Sequence, residues 1–249
     1  MNKTLLITGA SSGIGKALAI AYAAPGNTLL LTGRNATRLE KTAQQCQNSG
    51  ARVRQGLIDV TDKTAMHNWI ADQDESTKID IVIANAGCSS TQIEDSYTME
   101  HDIESAMAHV HFQGTLNTIH PILPRMLKRG SGQIAIMSSM NAFFPLARSK
   151  IYGSQKAALY YYGLSSRAGY SQQNIKFNVI CPGWVDSALT QLNTFPMPWK
   201  MPVDKAALII KKGLEKNKSV IAFPWQLNCL RHAYHFLPMS IKQLIAGRC

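Results

Sequence analysis

The sequence predicts a single α/β domain built on a seven-stranded parallel sheet with helices on both faces. Short apolar stretches alternate with amphipathic stretches of helical length, and no repeat or low-complexity linker divides the 249 residues. Strands that are apolar throughout must be covered on both sides, which is typical of parallel sheets. Right-handed crossovers then make the sheet doubly wound. We therefore expect one domain over residues 1–249.

Seven stretches have the length and composition of buried strands. They are Leu5–Thr8, Thr28–Leu31, Val53–Leu57, Ile81–Ala84, Gln133–Met137, Lys176–Ile180 and Val220–Phe223. Helical patterns lie between them, for example over Gly13–Ala24 and Ala36–Asn48. Three prolines and two aromatic residues exclude regular structure over 193–203, so we expect a lid loop at about 187–203. A helical tail is expected at about 224–249.

The composition limits the classes of protein to consider. With 45% hydrophobic and 16% charged residues, the chain is globular rather than disordered. No apolar run is long enough to span a membrane, and the first strand begins too early for a leader peptide. Five scattered cysteines form no CxxC pair, so we expect reduced thiols, no metal site and a cytoplasmic location. They are Cys46, Cys88, Cys181, Cys229 and Cys249.

The net charge of +11 favours an anionic partner. No basic run with interleaved aromatic residues and no zinc or RNA-binding signature occurs, so nucleic acid is not expected. A phosphorylated small molecule and an anionic membrane surface both remain open.

A glycine-rich stretch, TGASSGIG at 8–15, follows the first strand and opens a helix. Gly9 permits a tight turn, Gly13 lets the backbone approach a pyrophosphate, and Gly15 allows close packing of the helix on the strand. The helix N-terminus supplies unpaired N–H groups and a positive dipole. We therefore predict a Rossmann fold that binds a dinucleotide along Gly9, Ser11, Ser12, Gly13, Ile14 and Gly15.

The Gly-x-x-x-Gly-x-Gly spacing resembles that of the short-chain dehydrogenase/reductase family, and the resemblance covers nearly the whole chain. Tyr152 and Lys156 match the family's Tyr-x-x-x-Lys motif, and Ser139 stands thirteen residues earlier, as the family's catalytic serine does. The resemblance also implies cofactor contacts at Asp59, Val60, Asn85, Ala86, Gly87, Pro182, Gly183, Val185 and Ser187. The family usually has threonine at the last of these positions, and serine keeps the same donor and acceptor.

The resemblance implies an oxidoreductase that transfers hydride between a nicotinamide cofactor and a carbonyl or alcohol substrate, as a homodimer or homotetramer. Tyr152 would be the acid/base, because the Lys156 ammonium and an oxidised nicotinamide both lower the pKa of the phenol. Ser139 would hold the substrate oxygen. The physiological direction stays open. A non-catalytic nucleotide-binding sensor or scaffold is the alternative, supported only by an unusual residue at His111.

The choice of nicotinamide depends on the end of the second strand. Thr32 and Gly33 stand where an NAD enzyme carries an acidic residue for the ribose hydroxyls, and Arg34 follows. A 2′-phosphate would find a guanidinium and no opposing carboxylate. This favours NADP(H) over NAD, with a solvated loop arginine as the alternative.

His111 departs from the pattern of the family, which usually has asparagine three residues before the glycine that is here Gly114. That asparagine holds a water linking the active-site lysine to solvent. Imidazole can donate and accept, and it titrates near neutrality. We therefore expect His111 to point toward Lys156, keep the relay and contribute one ionisation to the pH–rate profile. Mere filling of space is the alternative.

Apolar residues of the tail follow helical spacing at Leu227, Leu230, Tyr234 and Leu237. This favours a helix that packs on the body of the protein or on a sister subunit. A helix lying on a lipid surface is the alternative, supported by the basic charge and by Phe223 and Trp225. In either case the tail and the lid are expected to bound an apolar substrate pocket.

Overall fold

The computed structural model describes residues 2–88, 100–187, 190 and 196–248. Its strands are β1 (Thr4–Thr8), β2 (Thr28–Gly33), β3 (Arg52–Leu57), β4 (Ile81–Ala84), β5 (Gly132–Met137), β6 (Ile175–Pro182), β7 (Val185–Asp186), β8 (Met201–Pro202) and β9 (Val220–Phe223). Seven of them form one parallel sheet in the order β3-β2-β1-β4-β5-β6-β9. Each predicted strand occurs within two residues of its expected ends.

Helices cover both faces of this sheet. They are α1 (Gly13–Tyr22), α2 (Ala36–Asn48), α3 (Lys63–Ser76), α4 (Glu100–Ala108), α5 (Gly114–Ile119), α6 (Leu123–Arg129), α7 (Lys150–Gly169), α8 (Val203–Glu215), α9 (Trp225–His235) and α10 (Met239–Arg248). One core, centred on Ile7 and Leu18, lies under α1 and α8, and the other, centred on Leu159 and Phe177, lies under α3 and α5–α7. The predicted doubly wound α/β fold is therefore confirmed.

The sheet has its topological switch point between β1 and β4, which are neighbours although two βα units separate them in the chain. Crossovers run in opposite directions from this point, which opens a crevice at the carboxyl ends of the two strands. Both strands are fully buried, so the crevice has a rigid floor. We expect the ligand site there.

The expectation that 193–203 lacks regular structure is wrong at its C-terminal end. Met201 and Pro202 form the short strand β8 with β7, and Val203 begins α8. Proline is tolerated at this place because it ends an edge strand and precedes the helix, where no backbone N–H is required. Residues 188, 189 and 191–195 of the expected lid lie outside the described part of the chain.

The helix that carries His111 contains a widened turn. Between α4 and α5, residues His109–Gln113 form a π-helical turn, closed by the bond from the Gly114 N–H to the His109 carbonyl. The Thr115 hydroxyl donates to the carbonyl of His111 at 2.7 Å and satisfies it. π-Helical turns of this kind are frequent at functional sites.

Candidate active site

The glycine-rich turn between β1 and α1 has the shape of a phosphate cradle. Gly9 and Gly13 have φ values of +68° and +52°, a conformation that side chains disfavour. A Cβ on Gly15 would clash with the carbonyl oxygen of Gly9, so α1 packs directly on the turn. Ser12 caps α1 without a side-chain hydrogen bond, which leaves first-turn N–H groups for an anion. These features fit a dinucleotide pyrophosphate.

Ser11 and Ile14, the remaining predicted contact residues of this turn, support its shape. Ser11 lies against Gly33 at the end of β2, where a Cβ would stand 3.2 Å from the serine side chain. Ile14 packs on the core under α1 and holds the helix down.

The loop after β4 is tied to the end of β1. The Asn85 side chain donates to the carbonyl of Thr8 at 2.9 Å, and the backbone N–H groups of Asn85 and Ala86 donate to the Thr8 hydroxyl at 3.0 and 3.1 Å. Sequence reasoning missed Thr8, although it ends β1 directly before the glycine turn. These bonds fix the floor of the crevice at the switch point.

Arg34 has a carboxylate partner, contrary to the expectation from the sequence. Its guanidinium lies 3.3 Å from the Asp59 carboxylate, with 63% of the arginine side chain exposed. Burial raises the pKa of Asp59, but hydrogen bonds from Thr61 and the charge of Arg34 outweigh this and hold that pKa below its usual value. The sequence could not reveal the pair, because the ends of β2 and β3 meet only in the folded sheet.

Three predicted catalytic side chains come together at the carboxyl end of β5. The Ser139 hydroxyl, directly after β5, donates to the Pro182 carbonyl at 3.4 Å and lies near enough to the Tyr152 phenol to lower its pKa. Lys156 lies one turn further along α7, with its ammonium 5.6 Å from the centre of the Tyr152 ring and donating to the Met137 carbonyl at 3.1 Å. The neighbouring Ser138 faces away and donates to the Lys156 carbonyl at 2.7 Å, so it has a packing role.

Burial has the largest effect on the pKa values of Tyr152 and Lys156. It raises the pKa of the Tyr152 phenol, although the nearby Ser139 hydroxyl opposes the effect. It lowers the pKa of Lys156 to about 8. The expectation that Lys156 lowers the pKa of Tyr152 is therefore wrong for the protein alone, because desolvation of the phenolate has the larger effect. The phenol stays protonated at neutral pH, which suits a proton donor.

His111 links three separate segments of the site. Its Nδ1 lies 2.6 Å from Gln155 Oε1 on α7, and its Nε2 lies 3.1 Å from the amide nitrogen and 3.0 Å from the carbonyl oxygen of Cys88. The ring is 1% exposed, packs edge-on against Tyr152 at 5.4 Å and fills the space that a side chain on Gly87 would occupy. The imidazole reaches α7 as expected, but its partner there is Gln155 rather than Lys156.

The expectation that His111 titrates near neutrality is wrong. Burial and the nearby charge of Lys156 lower the pKa of the imidazole to about 3, despite its hydrogen bonds to Gln155 and Cys88. The ring is therefore neutral over the whole working range of pH. A neutral imidazole with one protonated nitrogen can hold Gln155 and the Cys88 backbone at the same time.

This shift predicts acid-sensitive folding. The pKa of His111 is about 3 in the folded protein, whereas the ordinary pKa of a free histidine side chain is 6.5. Stability from the neutral ring is therefore complete above pH 6.5 and is lost as the pH falls toward 3, by at most about 1.4 kcal/mol per pH unit. Urea unfolding should be measured at about pH 7.5 and about pH 5. Between these two pH values the free energy of unfolding should fall less for His111→Asn than for the wild type. An equal loss in both proteins would contradict the shift.

The segment after β6 faces the glycine turn from the other side. The Gly183 N–H donates to the Phe223 carbonyl at 2.7 Å, which anchors the turn after Pro182 to β9. Val185 is buried and lies in β7. A Cβ added to Gly13 would lie 3.5 Å from the Cβ of Ser187, so the two walls of the crevice approach each other here.

The tail borders the site through its first helix. Phe144 packs edge-on against Tyr234 of α9 at 5.1 Å, and Arg231 stacks over Phe143 at 4.5 Å. Both phenylalanines lie between Ser139 and Tyr152 in the chain. The expected packing stripe is wrong at Leu230, which is 48% exposed, and the tail forms two helices separated at Pro238.

Comparison with known proteins decides the family. The sequence profile described as "short chain dehydrogenase" matches residues 3–195. An uncharacterized oxidoreductase of Myxococcus xanthus is 32% identical over 247 residues, which cover 99% of this chain and 97% of that protein. The chain belongs to the short-chain dehydrogenase family.

Solved members of the family share the fold. A short-chain dehydrogenase from Sphingobium yanoikuyae in complex with NADPH is 24% identical, with a TM-score of 0.80 and 94% of each chain covered. One from Mycobacterium paratuberculosis bound to NAD is 21% identical, with a TM-score of 0.74, and covers 88% of this chain and 94% of that chain. These likenesses show the shared fold, and the cofactor of this short-chain dehydrogenase must be argued from its own residues.

Two other classes of feature do not occur in the part of the chain that the structure describes. No group of three or more histidine, cysteine, aspartate or glutamate side chains is placed to hold a metal ion. None of the described helices has both the length and the hydrophobicity needed to cross a membrane.

Proposed function

We propose that this short-chain dehydrogenase transfers hydride between NADP(H) and the carbonyl carbon of an apolar substrate, with Tyr152 as the acid/base. The meeting of Ser139, Tyr152 and Lys156 at the carboxyl end of β5 supports this function most strongly. Bound NADPH supplies the hydride. The glycine turn would hold its pyrophosphate, and Val60, Gly87, Pro182, Val185 and Ser187 stand where the family contacts the rest of the cofactor.

Side chains of the protein would carry out the proton transfer. The Ser139 hydroxyl donates to the substrate oxygen and orients it beside the Tyr152 phenol. The protonated phenol then gives its proton to that oxygen as negative charge develops there. Lys156 opposes the charge left on the phenolate, since its ammonium lies over the same ring. In the reverse direction the phenolate accepts the proton.

The substrate side of the site is aromatic. In the segment that joins Ser139 to Tyr152, Phe144 packs on Tyr234 and Phe143 packs on Tyr160. Such a surface favours an apolar carbonyl compound over a charged one. A panel of aldehydes, ketones and quinones, assayed by oxidation of NADPH, tests the activity directly, and no turnover with any of them would favour a non-catalytic binding role. A homodimer or homotetramer is the assembly expected on family grounds.

Arg34 supports the choice of NADP(H), although Asp59 competes for it. The guanidinium is mostly exposed and can turn to a 2′-phosphate, and no acidic residue ends β2. We expect Arg34→Ala to weaken NADPH binding by about 1–3 kcal/mol and to leave NADH binding nearly unchanged. Fluorescence titration of each reduced cofactor measures both values.

Arg52→Ala is the matched control, because Arg52 is also exposed but begins β3 at the opposite end of the strand from Asp59. It should affect neither cofactor. Equal losses for NADPH and NADH in Arg34→Ala would contradict the phosphate contact, and an unchanged NADPH affinity would make Arg34 a partner of Asp59 alone.

A further inference from the structure

The last two helices expose an unusual concentration of large apolar side chains. Of the eleven large hydrophobic side chains that are exposed in the described residues, six lie between residues 225 and 244. We refer to these six exposed side chains together as the tail face, although only Trp225 and Phe236 share one side of a helix: Trp225, Leu230, Phe236, Met239, Ile241 and Leu244. Trp225 and Phe236 are 70% and 85% exposed. Scattered apolar residues are ordinary on a surface, but a group confined to one short segment indicates an interaction site.

Helix α9 is apolar on two sides, and only one of them packs on the protein. Leu227 reaches Gly183, and Tyr234 packs on Phe144, so these residues form the inner side. Trp225 and Phe236 are eleven residues apart, which is about three helical turns, and they share the opposite side. The inner side is sufficient to dock the helix, and the outer side therefore has another use.

A basic groove reaches helix α9 at Asn228 and Arg231. It has a volume of about 380 Å³ between α8, β9 and α9, and four of its lining side chains are cationic: Lys212, Lys216, Lys218 and Arg231. No acidic residue lines it among the described residues. The three lysines are exposed, and the sequence contains no aspartate or glutamate from Lys216 to the last residue.

We propose that the tail face and the basic groove together dock on an anionic lipid surface. Tryptophan, phenylalanine and leucine are the side chains that enter the boundary between headgroups and acyl chains, and lysines beside them attract anionic headgroups. A second copy of the chain fits less well. A two-fold interface would bring the same basic, carboxylate-free surfaces together, with a net charge of +11 on each copy.

Sedimentation with vesicles tests the proposal on the full chain. We expect binding to vesicles of phosphatidylglycerol and phosphatidylcholine at low salt, weak binding to phosphatidylcholine alone, and loss of binding at high salt. Vesicles with brominated acyl chains should quench the tryptophan fluorescence of the wild type more than that of the Trp225→Phe variant. This difference would place the Trp225 indole at the acyl boundary.

Two pairs of substitutions separate the apolar and the electrostatic contributions. W225S/F236S alters exposed side chains of the tail face, and K216E/K218E reverses two charges in the groove. Each pair should lower the partition coefficient at least about tenfold, because a basic residue near such a surface is worth about fivefold and the apolar anchors are worth as much. Thermal unfolding and NADPH oxidation of both variants should match the wild type.

Matched controls lie at the opposite edge of the sheet. L57S removes a leucine that is 61% exposed, and K41E/R52E changes the net charge as much as K216E/K218E does. Both should bind vesicles like the wild type. No sedimentation of the intact protein with anionic vesicles would overturn the proposal, and so would equal losses in the two charge variants. A smaller oligomer in W225S/F236S with unchanged vesicle binding would assign the tail face to self-association instead.

Discussion

Replacing Tyr152 with phenylalanine should remove nearly all turnover, by about 10²–10⁴-fold, while NADPH affinity stays close to that of the wild type. The ring would keep its edge-on contact with His111 and its packing beside Cys88 and Met107, so the site should stay folded. Only the phenolic hydroxyl is lost, and with it the proton donor. NADPH oxidation with the panel of carbonyl compounds gives the rate, and fluorescence titration gives the affinity.

Tyr161→Phe is the matched control on the same helix. Tyr161 is 72% exposed and takes no part in the group around Ser139, so its hydroxyl should be dispensable. Normal turnover in Tyr152→Phe would remove Tyr152 from the acid/base role. An equal loss of activity and of NADPH binding would instead indicate that the phenol supports the cofactor and not the proton.

The sheet could be predicted well because its signal is local. The stretches at 5–8 and 81–84 are apolar at almost every position, and a strand buried on both faces permits little else. The glycine turn is equally local, since the conformations of Gly9 and Gly13 follow from their own neighbours. Prediction was less accurate where the chain ends one element and begins another, as at Met201, because edge strands and helix starts depend on distant partners.

The site residues could be predicted, but their partners could not. Ser139, Tyr152 and Lys156 follow from a motif, whereas the Arg34–Asp59 pair joins the ends of two strands 25 residues apart in sequence. Gln155 gives no signal of its own: it is a polar residue in a helix until the fold brings it to His111. The pKa values were missed for the same reason, because desolvation depends on the packed structure.

Replacing His111 with alanine should lower turnover by about tenfold to a hundredfold, less than a direct loss of the acid/base because the ring touches neither proton nor hydride. The substitution leaves Gln155 Oε1 and the Cys88 backbone without a buried partner, which lets α7 and the loop after β4 move apart. The loss should appear in kcat more than in KM. His111→Asn should retain most activity, because an amide can replace part of these bonds.

The pH–rate profile separates this positioning role from a proton relay. A neutral ring with a pKa of about 3 contributes no ionisation at working pH, so the profile of His111→Ala should keep its shape above about pH 5 at a lower level. If the profile of His111→Ala instead lost an ionisation near neutrality, His111 would act as a titrating proton relay. His109→Ala, at an exposed position of the same π-helical turn, should match the wild type. Combining His111→Ala with Gln155→Ala should cost little more than His111→Ala alone, because the hydrogen bond between the two residues is already lost in that variant, whereas additive losses would show that His111 acts independently of Gln155.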